Sequence, residues 1–247
     1  MINLAALLDD GLARLEIDLG GSPSVSFDAD ARIRLLDYMA LLKKWSAKTN
    51  LIAKNASNTE IVEHFLDSLA LLPLLLTAHS LMDVGSGAGF PGLVVAATRP
   101  ELTVNLIEPR QKRAAFLRQV IRSLRLEHAV CHECRLEGIP IKSMPGGPGG
   151  HIVSRAVADI AGFLSMIEPW LAEGGQIICM KSRKWPEELA RAHELIARLK
   201  LDGPQIASYR LPFSGAERVM LTFTVRKKSD DAPASENMVE DGRESFH

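Results

Sequence analysis

Apolar positions near the start of the chain recur at helical spacing. Three segments show this pattern: residues 2–18, 27–45 and 60–76. Asp28 is a suitable N-cap for the second helix, and Asn58 or Thr59 for the third. Pro73 is expected to end or kink the third helix. No strand is predicted before residue 80, so the chain begins as a helical extension.

From residue 80 onward, short apolar runs alternate with amphipathic segments. The runs are residues 81–84, 104–108, 129–132, 151–154 and 176–181, and the intervening helices are predicted at 92–98, 110–125, 159–171 and 185–200. This alternation is typical of a parallel sheet covered by helices on both faces. Residues 205–211 and 218–227 follow without a helix between them, which predicts an antiparallel hairpin. The fold class is therefore α/β, with a mostly parallel, seven-strand, Rossmann-like sheet.

These patterns predict three units: a helical extension at 1–78, an α/β domain at 79–228 and a tail at 229–247. The tail is polar and acidic, which predicts disorder. It carries six acidic residues against Arg243 alone, a net charge of −5, whereas the whole chain carries −1. Residues 1–228 are therefore mildly basic, at +4, which allows a polyanionic partner without requiring one.

Composition and cysteine usage indicate a cytoplasmic protein. The first residues are acidic early and lack the basic segment of a signal peptide, and no apolar run is long enough to span a membrane. The three cysteines are an odd number, which favours reduced thiols. Cys131 and Cys134 have a CxxC spacing, but no second ligand pair matches it, so no metal site is predicted.

A glycine-rich turn follows the first predicted strand in the sequence LMDVGSGAGFPG. Gly85, Gly87 and Gly89 begin like a dinucleotide fingerprint, but Phe90 stands where its last glycine should be. Asp83 precedes the turn, and its carboxylate would repel a pyrophosphate and attract a cation.

Glu108 ends the next predicted strand, where a carboxylate is suited to accept hydrogen bonds from ribose hydroxyls. Glycines between two such acids suit an adenosyl ligand with a cationic amino-acid tail, which is S-adenosylmethionine. A nicotinamide-dependent oxidoreductase remains the alternative from the turn alone.

Longer segments resemble one family closely. DVGSGAGFPGLVVA, IEPRQKRAAFLRQV, VSRAVADI and GGQIICMKS resemble the bacterial small-subunit (16S) ribosomal RNA guanine-N7 methyltransferases, the GidB/RsmG family, and the resemblance covers about residues 30 to 228. It implies transfer of a methyl group to N7 of one guanine in small-subunit ribosomal RNA. It also implies that Gly85, Phe90 and Arg155 line the S-adenosylmethionine pocket, and that Leu136 and Glu137 lie beside the adenine.

Attack by guanine N7 needs no general base, because N7 carries a free lone pair at neutral pH. Arg155 and Lys181 are therefore expected to orient the reactants. Arg155 has a structural alternative, an ion pair with Asp159. His64 and Asp67 are expected to form a buried hydrogen-bonded pair, with a place on the RNA surface as the alternative.

RNA contact is predicted for five residues, all cationic except one aromatic: Arg113, Lys181, Arg183, Lys184 and Trp185. The expected partner is small-subunit ribosomal RNA or the 30S particle, the expected state is a monomer, and no membrane partner is expected. A non-catalytic RNA-binding or assembly protein on the same scaffold is the remaining alternative.

Overall fold

The computed structural model describes residues 3–18, 27–140 and 150–227. The tail at 229–247, predicted to be disordered, lies outside these residues. The division between extension and α/β domain at residue 78 stays a prediction. No helix in the described ranges is both long and apolar enough to cross a bilayer.

Helices form where the apolar periodicity predicts them. The described part of the chain contains α1 (Leu4–Arg14), α2 (Ala29–Ser46), α3 (Asn58–Leu69), α4 (Gly92–Thr98), α5 (Gln111–Leu124), α6 (Ile160–Ile167) and α7 (Trp185–Arg198). Asp28 caps α2 as predicted, accepting a hydrogen bond from Ala31 N at 2.5 Å. The predicted cap of α3 is wrong. Ser57 caps it instead, because Ser57 and Glu60 each accept the other's backbone N–H in a capping box.

The strands form one mixed sheet. They are β1 (Ile17–Asp18), β2 (Ser80–Val84), β3 (Thr103–Ile107), β4 (Ala129–His132), β5 (His151–Arg155), β6 (Gln176–Lys181), β7 (Leu201–Arg210) and β8 (Glu217–Val225). Their order is β1-β7-β8-β6-β5-β2-β3-β4. The five strands from β2 to β6 are parallel, and β8 and β7 close the sheet as the predicted antiparallel hairpin.

Several predicted element boundaries are wrong. The helix predicted over 60–76 ends at Leu69 and is followed by a 3-10 helix, Leu72–Leu75, that contains Pro73, and the strand predicted from residue 205 begins at Leu201.

A strand does occur before residue 80, because β1 pairs antiparallel with β7 at the sheet edge; two residues are too few to show an alternating pattern. The helix expected over 159–171 ends at Ile167, and a 3-10 helix, Glu168–Trp170, contains the proline that prevents its continuation. The seven predicted strands are otherwise present.

Two apolar cores cover the faces of the sheet. One contains buried side chains of α1 to α5, and the other those of α6 and α7. α2 contacts α4 and α5, and α3 contacts α4, so the first core includes much of the helical extension. The three cysteines are free thiols, with Cys179 fully buried.

Tyr38 of α2 connects the extension to the glycine-rich turn. Its ring is fully buried and contacts Phe65, Phe90 and Phe116, and its hydroxyl donates a hydrogen bond to the carbonyl of Ala88. The turn is therefore supported from below by a residue of the extension.

We expect Tyr38→Phe to lower the free energy of unfolding by about 1–2 kcal/mol, since a buried carbonyl loses its donor while the ring still packs. Urea denaturation followed by circular dichroism measures this. Unchanged stability would show that the Tyr38 hydroxyl makes no net contribution to the free energy of unfolding.

Candidate functional site

The strand order reverses at β2, which lies between β3 and β5 in the sheet. In open α/β sheets, ligands bind at the carboxyl ends of the strands beside such a switch point. The glycine-rich turn follows β2, and Arg155 ends β5. The predicted site residues of both segments therefore meet at one edge of the sheet.

The glycines of the turn have backbone conformations that other residues rarely adopt. Gly85, Gly87 and Gly89 have φ of +76°, +59° and +93°. A Cβ at Gly85 would overlap the Val157 side chain, and one at Gly89 would overlap the Tyr38 hydroxyl. The turn is thus enclosed on both sides, and bare backbone is required at these two positions.

Glu108 holds this turn through its carboxylate. One oxygen accepts a hydrogen bond from Gly87 N at 2.9 Å, and the other from Arg110 N at 2.8 Å. The side chain is almost fully buried. Both oxygens therefore bind backbone amides, which the sequence did not reveal, and a ribose hydroxyl would use their remaining lone pairs.

Asp83 lies fully buried beneath the turn. Its Oδ2 accepts a hydrogen bond from Gly92 N at 3.0 Å, whereas Oδ1 has no partner among the described residues. Burial raises the pKa of Asp83 to about 7, against the hydrogen bond from Gly92 N, which lowers it; the Ser86 hydroxyl donates to the backbone carbonyl of Asp83 at 3.0 Å. Since the carboxyl has no exposed surface, its effect on a bound cation is electrostatic rather than by contact.

Phe90 belongs to the core and also contacts Arg155. Its ring packs against Tyr38, Phe65 and His64, and the guanidinium of Arg155 lies 5.4 Å from the ring centroid. This distance permits a cation–π interaction.

Arg155 is held by α3. Its Nε lies 3.0 Å from Asp67 Oδ2, its Nη2 donates to His64 Nδ1 at 2.8 Å, and its Nη1 donates to the His64 carbonyl at 3.3 Å. The alternative pairing with Asp159 is wrong, because Asp159 caps α6 by accepting from Gly162 N. The hydrogen bond expected between His64 and Asp67 is not among the contacts of the described residues. Both side chains bind Arg155 instead.

The C-terminal hairpin completes this cluster. Tyr209 donates a hydrogen bond from its hydroxyl to Asp67 Oδ1 at 2.6 Å, and Arg218 Nε lies 3.7 Å from the same oxygen. Sequence reasoning missed Tyr209 and Arg218. No local pattern identifies them, because Tyr209 lies 142 positions from Asp67.

A cavity of about 420 Å³ adjoins Arg155 at the ends of β5 and β6. Its lining includes Asp67, Arg155, Lys181, Glu188 and Arg218. This volume is within the range of small-molecule sites, and the lining mixes cations with carboxylates.

The predicted RNA-contact residues near this cavity differ in exposure. Lys181 points inward, where Nζ donates to the Ala158 carbonyl at 2.5 Å and lies 2.9 Å from Glu188 Oε2. Arg183 and Lys184 are exposed, with 82% of the Arg183 side chain accessible, and Trp185 is half-buried. Only the exposed cations are available to a large polyanion in this conformation.

The remaining predicted site residues lie on neighbouring loops. Leu136 and Glu137 belong to a 3-10 helix, Leu136–Gly138, where Leu136 is buried and Glu137 exposed. Arg113 of α5 lies beside Gly87, with its Nη1 3.7 Å from the position of a Cβ there. Contact of these residues with a ligand stays a prediction.

Solved structures with the same architecture include methyltransferases. The chain is 16% identical to an O-methyltransferase from Bacillus cereus in complex with SAH, with a TM-score of 0.53 over 76% of this chain and 90% of the other. It is also 16% identical to the O-methyltransferase TomG from Streptomyces achromogenes in complex with SAM, with the same TM-score and coverage. At this identity the likeness shows a shared fold, that of S-adenosylmethionine-dependent methyltransferases.

Sequence comparison gives the family. Residues 32–211 match GidB, described as rRNA small subunit methyltransferase G. The chain is 46% identical over 200 residues to ribosomal RNA small subunit methyltransferase G of Desulfotalea psychrophila, covering 81% of this chain and 92% of the relative. The corresponding protein of Myxococcus xanthus is 36% identical, covering 81% and 90%. The chain belongs to this family, which confirms the resemblance and disfavours the oxidoreductase.

His64 provides a test of the cluster by pH. Burial lowers the pKa of His64 to about 4, helped by Arg155 and opposed by Asp67, Glu60 and Glu63. Since this pKa is below that of an unfolded histidine, the neutral ring stabilises the fold fully above pH 6.5, and this contribution falls as the pH drops towards 4.

We expect the wild type to lose about 2 kcal/mol more unfolding free energy than His64→Asn between pH 7.5 and 5, measured by urea denaturation. Parallel pH profiles for the two proteins would contradict this assignment.

Proposed function

We propose that this protein transfers a methyl group from S-adenosylmethionine to N7 of a guanine in small-subunit (16S) ribosomal RNA. The observation that carries the proposal is the glycine-rich turn at the switch point, anchored by Glu108, in a chain that belongs to the rRNA small subunit methyltransferase G family. We further propose that the protein acts in the cytoplasm as a monomer, on free RNA or on the 30S particle.

The residues present fit S-adenosylmethionine. The glycine-rich turn forms a cradle in which Gly85 and Gly87 are partly exposed, and a Cβ at Gly87 would meet nothing closer than 3.7 Å, which allows close approach of a ligand to the backbone. Beneath the cradle, Asp83 has an unpartnered carboxylate oxygen that favours positive charge. Glu108 would hold the ribose, Phe90 and Arg155 would form one wall, and Leu136 and Glu137 would lie at the adenine.

The bound cofactor supplies an electrophilic methyl group on a cationic sulfur. The protein's task is then to orient the acceptor and exclude water, because guanine N7 attacks without losing a proton. Arg155 and Lys181, both held by ion pairs at the cavity, are suited to orientation. The carboxylates at the strand ends favour the positive charge that develops on the purine.

A glycine substitution tests the cofactor site. Gly85→Ala is expected to weaken S-adenosylhomocysteine binding at least about tenfold, because the new Cβ overlaps Val157 and displaces the turn. Titration calorimetry measures the affinity. Transfer of labelled methyl groups to small subunits that lack the modification should fall in parallel.

Gly174→Ala is the matched control. Gly174 also has a positive φ, +75°, but its Cβ would meet only the flexible end of Lys227 at 3.4 Å. This variant should lose about 1–2 kcal/mol of stability and keep its affinity. If wild-type protein transfers no methyl group to unmodified small subunits or their RNA, the proposed function fails.

The exposed cations after β6 test the RNA surface. Arg183→Ala combined with Lys184→Ala is expected to weaken binding of small-subunit RNA about fivefold at low salt and to reduce the salt dependence, as the loss of one or two phosphate contacts would. Fluorescence anisotropy at several salt concentrations measures both quantities.

The control pair is Arg198→Ala with Arg226→Ala. Arg198, the last residue of α7, pairs with Glu168, and Arg226, which follows the end of β8, pairs with Asp202. Because α7 and β8 both end at the opposite edge of the sheet, this pair should leave RNA affinity nearly unchanged. Equal losses from the two pairs would place the RNA elsewhere.

A further inference from the structure

A buried carboxylate joins four separate elements at the edge of the proposed site. Asp67 comes from α3, Arg155 from the end of β5, Tyr209 from β7 and Arg218 from β8. Only 4% of the Asp67 side chain is exposed. A carboxylate so deeply buried is costly to leave without partners, so the groups that bind it stabilise its position.

The two oxygens of Asp67 have different partners. Oδ2 faces Arg155 Nε at 3.0 Å, and Oδ1 accepts from the Tyr209 hydroxyl at 2.6 Å, with Arg218 Nε at 3.7 Å. Tyr209 and Arg218 therefore restrain the carboxylate from the side opposite Arg155, and the carboxylate in turn restrains the guanidinium.

Arg155 is restrained on two further sides. His64 Nδ1 accepts a hydrogen bond from Arg155 Nη2. The ring proton of the neutral imidazole is therefore on Nε2. The guanidinium lies over Phe90, the residue that ends the glycine-rich turn. These bonds do not use all the N–H groups of Arg155, and the residue also lines the cavity.

We propose that Asp67 is a positioning residue that holds the Arg155 guanidinium between the cofactor turn and the cavity, so that Arg155 meets the acceptor purine in one orientation. This inference rests on the proposed function for the identity of the acceptor. A planar guanidinium loses little freedom on binding when it is already held along one edge. α3 of the helical extension is then part of the catalytic apparatus.

Glu63 offers a matched control on the same helix. It is also buried, and its Oε1 accepts hydrogen bonds from the backbone of Phe213 and Ser214, in the turn between β7 and β8. Glu63 thus joins α3 to the same hairpin as Asp67 does, but Arg155 is not among its hydrogen-bond or ion-pair partners. Removing its charge tests docking of α3 without touching Arg155.

The experiment compares Asp67→Asn with Glu63→Gln by two measurements. Nitrogen-15 NMR follows the Nε–H resonance of Arg155, assigned by its disappearance in Arg155→Lys. Methyl-transfer kinetics on unmodified small subunits give kcat and KM. Asp67→Asn should shift the resonance, speed its exchange with water and lower kcat about tenfold, with S-adenosylhomocysteine affinity changed less than about twofold.

Glu63→Gln should leave the Arg155 resonance and kcat near their wild-type values. In an Arg155→Lys background, adding Asp67→Asn should cost less than about twofold in kcat, because the two residues act as one unit. Tyr209→Phe removes the hydrogen bond to one oxygen of Asp67 but keeps the carboxylate, and it should lower kcat about threefold. This variant replaces Asp67→Asn if Asp67→Asn does not fold.

Equal effects of Asp67→Asn and Glu63→Gln, or additive losses in the double variant, would overturn the positioning role. An unchanged Arg155 resonance in Asp67→Asn, or an unchanged kcat in Tyr209→Phe, would also overturn it. If the wild type transfers no methyl group, the proposed function fails, and the resonance still decides whether Asp67 holds Arg155.

Discussion

The hydrogen bonds between Glu108 and two backbone amides are the constraint on which the site depends. They join the turn after β2 to the start of α5, so that the loops following two neighbouring strands move as one. An amide donor to an ionised acceptor is stronger than one between neutral groups. With the turn held in this way, the positive φ angles of its glycines are maintained, and the backbone of Gly85 and Gly87 stays partly exposed.

The helical extension supports both sides of the same cleft. Tyr38 of α2 lies against the glycine-rich turn, and His64 and Asp67 of α3 hold Arg155. Phe90 lies between these contacts, because its ring touches both Tyr38 and His64. The extension therefore does more than cover an apolar face of the sheet. It determines where the walls of the site stand relative to one another.

Most structural features that depend on residues close together in the sequence are predicted correctly. The parallel strands, the turn at Gly85 and the acid at Glu108 follow from short apolar runs and their spacing. The two-residue strand β1 has too little pattern to detect, whereas the cap of α3 is signalled by the spacing of Ser57 and Glu60, which the prediction overlooked. The partner of Arg155 depends on tertiary folding, which brings α3 beside β5, so local reasoning chose the nearer Asp159.

The cluster around Asp67 also has a consequence for synthesis of the chain. Asp67 and Arg155 leave the ribosome well before Tyr209 and Arg218, which lie on the last two strands. A nascent chain that ends before β7 therefore carries the acid and one arginine without the hydroxyl and the second cation. This side of the proposed site is completed last, so an incomplete polypeptide lacks these contacts to Asp67 even when its parallel strands have formed.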